Sequence, residues 1–339
     1  MINTRSNPKQ WLAVKEQGLY CRPGDFFIDP VFPVNRAVIT HAHGDHARSG
    51  HQHIYATHET VEIMKIRYGE DCAGSFHSLN YYEPITINKV DCYLLPAGHI
   101  LGSAQLVMSF DGVRVIVSGD YKRAADPTCP PFVVEPCDIF ITEATFALPV
   151  FKHPPIEQEM NKVLTSLNSF PERCHLIGVY GLGKCQRFIK VLRLMGYLDA
   201  IYLHGAFDKL CNYYKSKGID LGDLQKASSL NLKSSQGKIV LCPPGALHDR
   251  WSRRFANVLV AMASGWMQIR ARAKQKGIEL PLIISDHADW FELIQTIKEI
   301  NPKEVWVTHG QEDALLYYLK QQGYQAQALH LLGYEDHED

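Results

Sequence analysis

The sequence predicts an α/β protein, and three observations carry that prediction. Residues 1–153 read as short strands joined by turns, whereas the stretch after Lys152-His153-Pro154-Pro155 alternates strand and helix. Several of the strands end directly on a histidine or a carboxylate, the way α/β sheets present chemistry at one edge.

In the first portion, Phe26 to Asp29 and Ala37 to Thr40 have the composition of strands, with a Pro23-Gly24 turn before them. Glu59 to Met64 carries apolar residues at helical spacing. Strands are expected at Ile85–Ile87, Asp91–Leu95, Gln105–Phe110 and Val113–Val117, the last two joined by an Asp111-Gly112 hairpin turn. A further strand, Asp138–Thr142, leads to Glu143. Then come a helix over Ile156–Leu167, a strand over His175–Tyr180, a helix over Lys184–Leu194, a strand at Ile201–Leu203 and a helix over Phe207–Tyr214. Strands at Lys238–Cys242 and Asn257–Ala261 complete a pattern that predicts a mostly parallel sheet. After the basic segment Arg270–Lys276, a strand at Leu282–Ser285, a helix over Trp290–Ile300, a strand at Glu304–Thr308 and a helix over Glu312–Lys320 are expected.

Composition narrows the class. A chain of 339 residues with 46% hydrophobic and 21% charged content is ordinary for a globular protein with a large core. No apolar run approaches the ~18–20 residues of a membrane span, and Met1 to Arg5 lacks the apolar core of a signal peptide. Nine scattered cysteines without a Cys-x-x-Cys pair point to reduced thiols in the cytoplasm. A formal net charge of −1 means that any grip on a polyanion must come from local patches or from metal ions.

The richest stretch is Thr40-His41-Ala42-His43-Gly44-Asp45-His46, three imidazoles and one carboxylate within six residues. In extended chain His41 and His43 share a face and can grip one ion. A turn at Gly44 opening a helix would swing Asp45 and His46 to a second. Neutral imidazole and carboxylate suit zinc or a similar divalent ion. Further ligands are expected where strands end: His99 in Pro96-Ala97-Gly98-His99, Asp120 after Val115-Ile116-Val117-Ser118-Gly119, and His309 after Val305-Trp306-Val307-Thr308.

This series of motifs resembles the metallo-β-lactamase superfamily, an αββα sandwich with metals at one edge. The resemblance implies that His41, His43 and His99 hold one ion and Asp45, His46 and His309 another, with Asp120 bridging both. Thr142-Glu143-Ala144-Thr145, Ser285-Asp286-His287-Ala288-Asp289 and Thr308-His309-Gly310 resemble the motifs of the β-CASP nucleases. That branch carries an inserted α/β cassette. The implied organisation is a lactamase-like domain over 1–153 and 279–339 with the cassette at 154–278. The chain looks most like bacterial ligase-associated DNA exonucleases. The resemblance therefore implies two divalent ions (zinc, with manganese as the alternative), a DNA substrate cut from a 5′ end in repair, and association with an ATP-dependent DNA ligase and a helicase. A histidine at 309 is shared with the RNA-acting members, so a ribonuclease is the alternative.

Three residues are expected to act catalytically. Asp45 would aim the attacking hydroxide, His287 would serve as general acid or phosphate-oxygen donor, and Glu143 would orient a liganding histidine or His287. Capping of the helix at Trp290 by His287 is the competing role, which Asp286 or Asp289 could fill instead. Gly181-Leu182-Gly183-Lys184 lacks the spacing and the Ser/Thr of a P-loop, but a strand–glycine–helix junction offers free N–H groups to an anion. Lys184 and Arg187 are thus candidates for phosphate contact, and Ser264-Gly265 for a terminal-phosphate pocket. Basic clusters at Lys184–Arg193, Arg250–Arg254 and Arg270–Lys276 are the candidate strand-binding surfaces.

Overall fold

The computed structural model describes residues 8–231, 234–310 and 312–330. They form two compact units, one reaching Val150 and resuming at His287, the other Phe151–Asp286. Met1 to Arg5, read above as lacking a signal peptide, lie outside the described residues.

The first unit opens with a six-stranded sheet in chain order: β1 (Leu12–Lys15), β2 (Gly18–Cys21), β3 (Phe26–Ile28), β4 (Arg36–Val38), β5 (His51–Thr57) and β6 (Ala73–Leu79). The helix His58–Tyr68 starts on a Thr57 cap, whose hydroxyl accepts from Thr60 N, and packs on β5 and β6. The second sheet begins as an antiparallel meander of β7 (Ile85–Ile87), β8 (Val90–Pro96), β9 (Ala104–Phe110) and β10 (Val113–Val117), and β11 (Ile139–Ala144) joins β10 in parallel. Asp111 and Gly112 both have positive φ (50° and 73°), which gives the turn the twist of the strands it joins.

The second unit holds β12 (Cys174–Gly178), β13 (Ile201–Leu203), β14 (Leu224–Lys226), β15 (Ile239–Cys242), β16 (Val258–Ala263) and β17 (Leu280–Leu282). All pair in parallel, in the order β14-β13-β15-β12-β16-β17. Every residue of β12 and β15 is buried, which explains why they read as unbroken apolar runs. Two expectations change here. The strand expected at Leu282–Ser285 lies at Leu280–Leu282 and pairs with β16, Ala261 opposite Leu280 and Ala263 opposite Leu282. The boundary expected at 279 therefore falls inside this sheet, and the return to the first unit follows Asp286.

The chain then supplies the helix Trp290–Ile300, β18 (Glu304–Gly310), the helix Glu312–Gln321 and β19 (Gln325–Ala328). The completed second sheet runs β19-β18-β11-β10-β9-β8-β7. Between the two sheets lies a core of Leu19, Phe26, Ile28 and Val38 against Leu94, Leu106, Met108, Val115 and Ile141. Alternate residues of the second sheet, among them Val107, Ile116, Phe140 and Val305, face the other way onto Leu293, Ile297, Leu315 and Leu319 of the two helices. The layers are helix, sheet, sheet, helix, as expected for the αββα sandwich. No helix of the described residues is long and apolar enough to cross a membrane.

His51, at the start of β5, is buried. Its Nδ1 accepts from Val34 N at 3.2 Å, and its Nε2 has no hydrogen-bond partner among the described residues. Burial pushes its pKa down to about 4. The unfolded chain protonates near the ordinary value of ~6.5 and so binds the extra proton first as pH falls. The stability this neutral ring confers is present above pH ~6.5 and lost as pH falls toward the folded value. In His51→Asn the amide oxygen can still accept from Val34. Urea unfolding in chelator should show the wild type losing on the order of 2 kcal/mol more than this variant between pH 7 and 4.5. Parallel pH profiles for the two proteins would refute the assignment.

Candidate metal centre

Every ligand candidate belongs to the first unit, and each stands just beyond a strand or at its end. Beyond β4 the chain turns once, with His46 N and Ala47 N both on the His43 carbonyl (3.2 and 2.8 Å). The expected helix does not open at Gly44; a single turn is enough to send Asp45 and His46 away from His41 and His43. His99 follows Gly98, whose φ of 74° and whose place 2.3 Å (measured to a built Cβ) from the Lys122 carbonyl admit no side chain. Asp120 follows Gly119, whose φ is 55° and where a Cβ would meet the Thr40 side chain at 2.8 Å. His309 itself has a φ of 62°, next to a register shift between β11 and β18. A left-handed histidine at an irregular strand end is strain of the sort that accompanies functional sites.

These loops bring two sets of ligand atoms together. His41, His43, His99 and Asp120 have ligand atoms within 4.8 Å of one another, and so do Asp45, His46, Asp120 and His309. Asp120 is common to both. Its Oδ2 lies 3.4 Å from His41 Nε2, 3.4 Å from His46 Nε2 and 3.8 Å from His99 Nε2. Asp45 Oδ2 is 3.7 Å from His46 Nε2 and 4.0 Å from His309 Nε2, while His99 Nε2 and His43 Nδ1 are 2.9 Å apart. A third group, Asp120, Glu143 and His287, adjoins them.

The site fits a divalent cation. Among the described residues His41 Nε2 and Asp120 Oδ1 are buried with no hydrogen-bond partner, an unfavourable arrangement that a coordinated ion relieves. Burial and the neighbouring His46 push the His41 pKa well below its ordinary value, so this ring is neutral with a lone pair to give. Burial would also lower His46, but Asp120, Asp45 and a hydrogen bond donated to Asp29 outweigh it and hold His46 well above the ordinary value. Burial would raise Asp120, yet His46, His287, His309 and His41 around it hold the carboxyl well below the usual range. The cluster thus favours a fixed anion ringed by imidazoles, the donor set of a divalent-metal site.

Residues behind the ligands fix their orientation, and sequence reasoning overlooked most of them. Asp29, at φ 43° after β3, accepts from Thr40 N at 2.7 Å and from Thr40 Oγ1 at 2.6 Å, and its Oδ2 lies 2.8 Å from His46 Nδ1. Because the Thr40 hydroxyl donates to Asp29, it is an acceptor toward His41 Nδ1, 3.1 Å away. One carboxylate thereby aims the Nε2 atoms of both His41 and His46 inward. The available signal was a strand ending on an acid at Ile28-Asp29, the same pattern that marked Asp120. Glu143 does stand beside His287: its Oε2 is 2.9 Å from His287 Nδ1, and its Oε1 accepts from Tyr121 N at 2.7 Å. Buried Lys122 donates to the His287 carbonyl at 3.1 Å and to Glu292 at 2.7 Å. A lysine near a loop reads as solvated, so nothing in the sequence flagged it. The helix cap is Asp289, whose side chain accepts from Phe291 N and Glu292 N, which leaves the His287 ring clear of that duty.

The phosphate candidates of the second unit differ from expectation. Lys184 and Arg187 are buried, with Nζ and Nη1 lying 3.7 and 3.8 Å from Asp286, and Arg187 donates to the Ser285 carbonyl at 2.9 Å. Arg193 donates to the carbonyls of Leu221, Tyr197, Asp199 and Asp223. These charges brace the unit from within, because each cation finds an internal acceptor. Ser264 is buried and caps its own short turn, accepting from Trp266 N at 3.3 Å, with Gly265 opening that turn. Arg250, Arg253 and Arg254 are exposed.

Replacing Asp29 by Asn keeps an acceptor for Thr40 but sets an N–H against His46 Nδ1. Metal affinity, read by chelator competition, should fall roughly 10- to 100-fold while the melting profile of the apo protein changes little. Unaltered affinity would show that Asp29 braces the loop without tuning the ligands.

Comparison with known proteins agrees with this geometry. A family model described as a Zn-dependent metallo-hydrolase RNA specificity domain matches residues 281–326. A probable DNA ligase of Opitutus terrae is 27% identical over 324 residues, covering 94% of this chain and 31% of that one. An RNase J-like protein of Methanocaldococcus jannaschii is 21% identical over 344 residues, 82% of each chain. An endoribonuclease ysh1 of Emericella nidulans is 34% identical over 145 residues, 41% of this chain and 15% of that one. This chain thus spans about a third of the ligase-named relative and a smaller share of the endoribonuclease. A solved structure of a protein of unknown function from Enterococcus faecalis superposes with a TM-score of 0.61 at 15% identity, covering 88% of this chain and 80% of that one. With ligands delivered by both sheets to one carboxylate and a parallel-sheet unit between Val150 and His287 in the chain, these findings support a likeness to the β-CASP nucleases of the metallo-β-lactamase fold.

Proposed function

We propose that the chain is a metal-dependent phosphodiesterase that hydrolyses DNA, acting as an exonuclease from a 5′ end in repair. One observation carries the reading: a single carboxylate, Asp120, is common to two ligand sets, with the His287–Glu143 pair beside it. His41, His43 and His99 would hold one ion and Asp45, His46 and His309 a second, with Asp120 shared. Zinc suits this donor set best and manganese next. Bound there, such ions would supply a nucleophile at neutral pH and countercharge for a phosphodiester.

The protein's own groups do the rest. Asp45, whose side chain is 26% exposed, accepts a hydrogen bond from the attacking water and aims it. Glu143 accepts a hydrogen bond from Nδ1–H of His287, which orients the protonated ring so that its Nε2–H gives its proton to the leaving oxygen as the P–O bond breaks. Residues 151–286 are the β-CASP cassette in this reading. Alignment of 94% of this chain with a third of a protein named a DNA ligase supports a DNA substrate and a working association with a ligase, and by extension a helicase. Reduced thiols fit a cytoplasmic setting. RNA is the second reading, favoured by the RNA-specificity model over 281–326 and by the RNase J-like relative.

End-labelled single-stranded DNA and RNA, with 5′-phosphate or 5′-hydroxyl ends, should be digested across zinc, manganese and magnesium. DNA shortened from its 5′ end by the wild type and untouched by Asp120→Ala is the expected result. His287→Ala should retain its metal and lose roughly 10²- to 10⁴-fold in kcat. Cleavage of RNA alone would select the second reading. Turnover of nitrocefin or a thioester with neither nucleic acid cut would overturn both.

A further inference from the structure

The helix His58–Tyr68 is fastened at both ends to loops that carry ligands. At its start the Thr57 and Thr60 hydroxyls donate to the Gly102 carbonyl, 2.6 and 3.0 Å away, in the His99 loop. At its end Arg67 Nη1 donates to the carbonyl of Ala42, between the first two histidines of the opening motif. The first contact is a plain structural tie. The second places a cation beside the half-buried ligands His43 and Asp45.

Openness can be read from the ligands themselves. His41, His46, His99, Asp120 and His309 are buried, whereas His43 and Asp45 are half-buried. His43-Gly44-Asp45 is therefore one solvent-facing stretch of the site's rim, half-buried His287 being another. Arg67 and Tyr68 both reach that rim: a Cβ built on Gly44 would lie 3.0 Å from Arg67 Nη2 and 3.6 Å from the Tyr68 hydroxyl. The absence of a side chain at 44 is what gives them room. The guanidinium sits 5.0 Å from the Tyr68 ring centroid. Both residues are exposed, Tyr68 at 38%.

The charge of Arg67 is not matched by a neighbouring acid. Glu62 and Glu70, which flank it in sequence, lie 3.0 and 3.6 Å from Lys65 Nζ. Among the described residues no carboxylate is in ion-pair range of Arg67, and its one side-chain hydrogen bond is to a neutral carbonyl. An exposed guanidinium stacked near an exposed tyrosine, at the mouth of a metal site, matches the chemistry of single-stranded nucleic acid: an anionic phosphate for the fork and a base face for the ring.

We propose that Arg67 and Tyr68 form a clamp on the nucleotide adjacent to the scissile phosphodiester, the guanidinium binding its phosphate and the tyrosine ring stacking on its base. The clamp rests on the phosphodiesterase reading and specifies which residues of the first unit touch the strand. It accounts for a position that ligand geometry leaves unexplained, since holding Ala42 needs a donor but not a full positive charge.

That difference supplies the test. Arg67→Gln can still donate an amide N–H to the Ala42 carbonyl while losing the charge. Steady-state kinetics on a labelled oligonucleotide should be compared with those on bis(p-nitrophenyl) phosphate, a phosphodiester with no neighbouring nucleotide, and metal content measured in parallel. Arg67→Gln should raise KM for the oligonucleotide about tenfold and lower the salt-dependence slope by about 1. The small substrate should be turned over within twofold of wild type, and metal content should be unchanged. Tyr68→Ala should raise the oligonucleotide KM several-fold while Tyr68→Phe, which keeps the ring, should not. Equal loss on both substrates, or lost metal, would reduce Arg67 to a loop brace and overturn the clamp. An unchanged oligonucleotide KM in Arg67→Gln with an active wild type would also overturn it, leaving the phosphodiesterase reading intact. If the wild type cuts no oligonucleotide, that reading fails first and the clamp with it.

Discussion

Burying one carboxylate among imidazoles is the constraint on which the rest of this unit depends. Asp120 is 2% exposed, and desolvating a charged group on that scale is costly unless hydrogen bonds or opposite charges replace the lost water. Here the replacement is a ring of histidines from four different loops. None of them is adjacent to Asp120 in sequence, so the compensation exists only when both sheets are formed and their edges aligned. Local sequence proposes the ligands; packing between the sheets makes them tolerable.

To hold a cation a ring must present an unprotonated nitrogen inward, so the partner on its other nitrogen matters. Asp29 and Thr40 occupy that other nitrogen in His46 and His41, and Glu143 orients His287 in the same way. Asp29 and His309 both hold positive φ, which costs on the order of 1–3 kcal/mol at each non-glycine position. Such strain persists because strands on either side over-determine the two positions: Asp29 lies between β3 and the Thr40 backbone, and His309 lies where β18 is pinned to β11.

Much of the architecture was legible in the residues, for identifiable reasons. The hairpin at Asp111-Gly112 and the buried strands β12 and β15 carry strong local signals, as do the amphipathic helices Trp290–Ile300 and Lys184–Leu194. β5 and β6 were overlooked because His51-Gln52-His53 and Ala73-Gly74-Ser75 lack the apolar alternation of a strand, their stability coming from pairing with each other and with β4. The ligand set was legible because its residue types are rare and strand ends flag them. Asp29, Thr40 and Lys122 were not, since each is an ordinary polar residue whose role depends on what the fold places opposite it. Lys184 and Arg187 misled in the reverse direction: a basic helix start looks like an anion site until an acid from the end of the same unit, Asp286, is found facing it.

That last point bears on how a chain with a net charge of −1 handles a polyanion. A nonspecific grip built from many surface cations would show as a basic excess, and here part of the expected excess is turned inward onto carbonyls and Asp286. On the proposed reading, attraction for a phosphodiester would be concentrated where few charges do the most, beside a cation-holding site of low local dielectric. In the proposed clamp, the single unmatched guanidinium at the rim would add one phosphate contact to whatever attraction the centre supplies. On that reading the economy follows from geometry: where catalysis and attraction share one focus, the remainder of the surface is free to stay close to neutral.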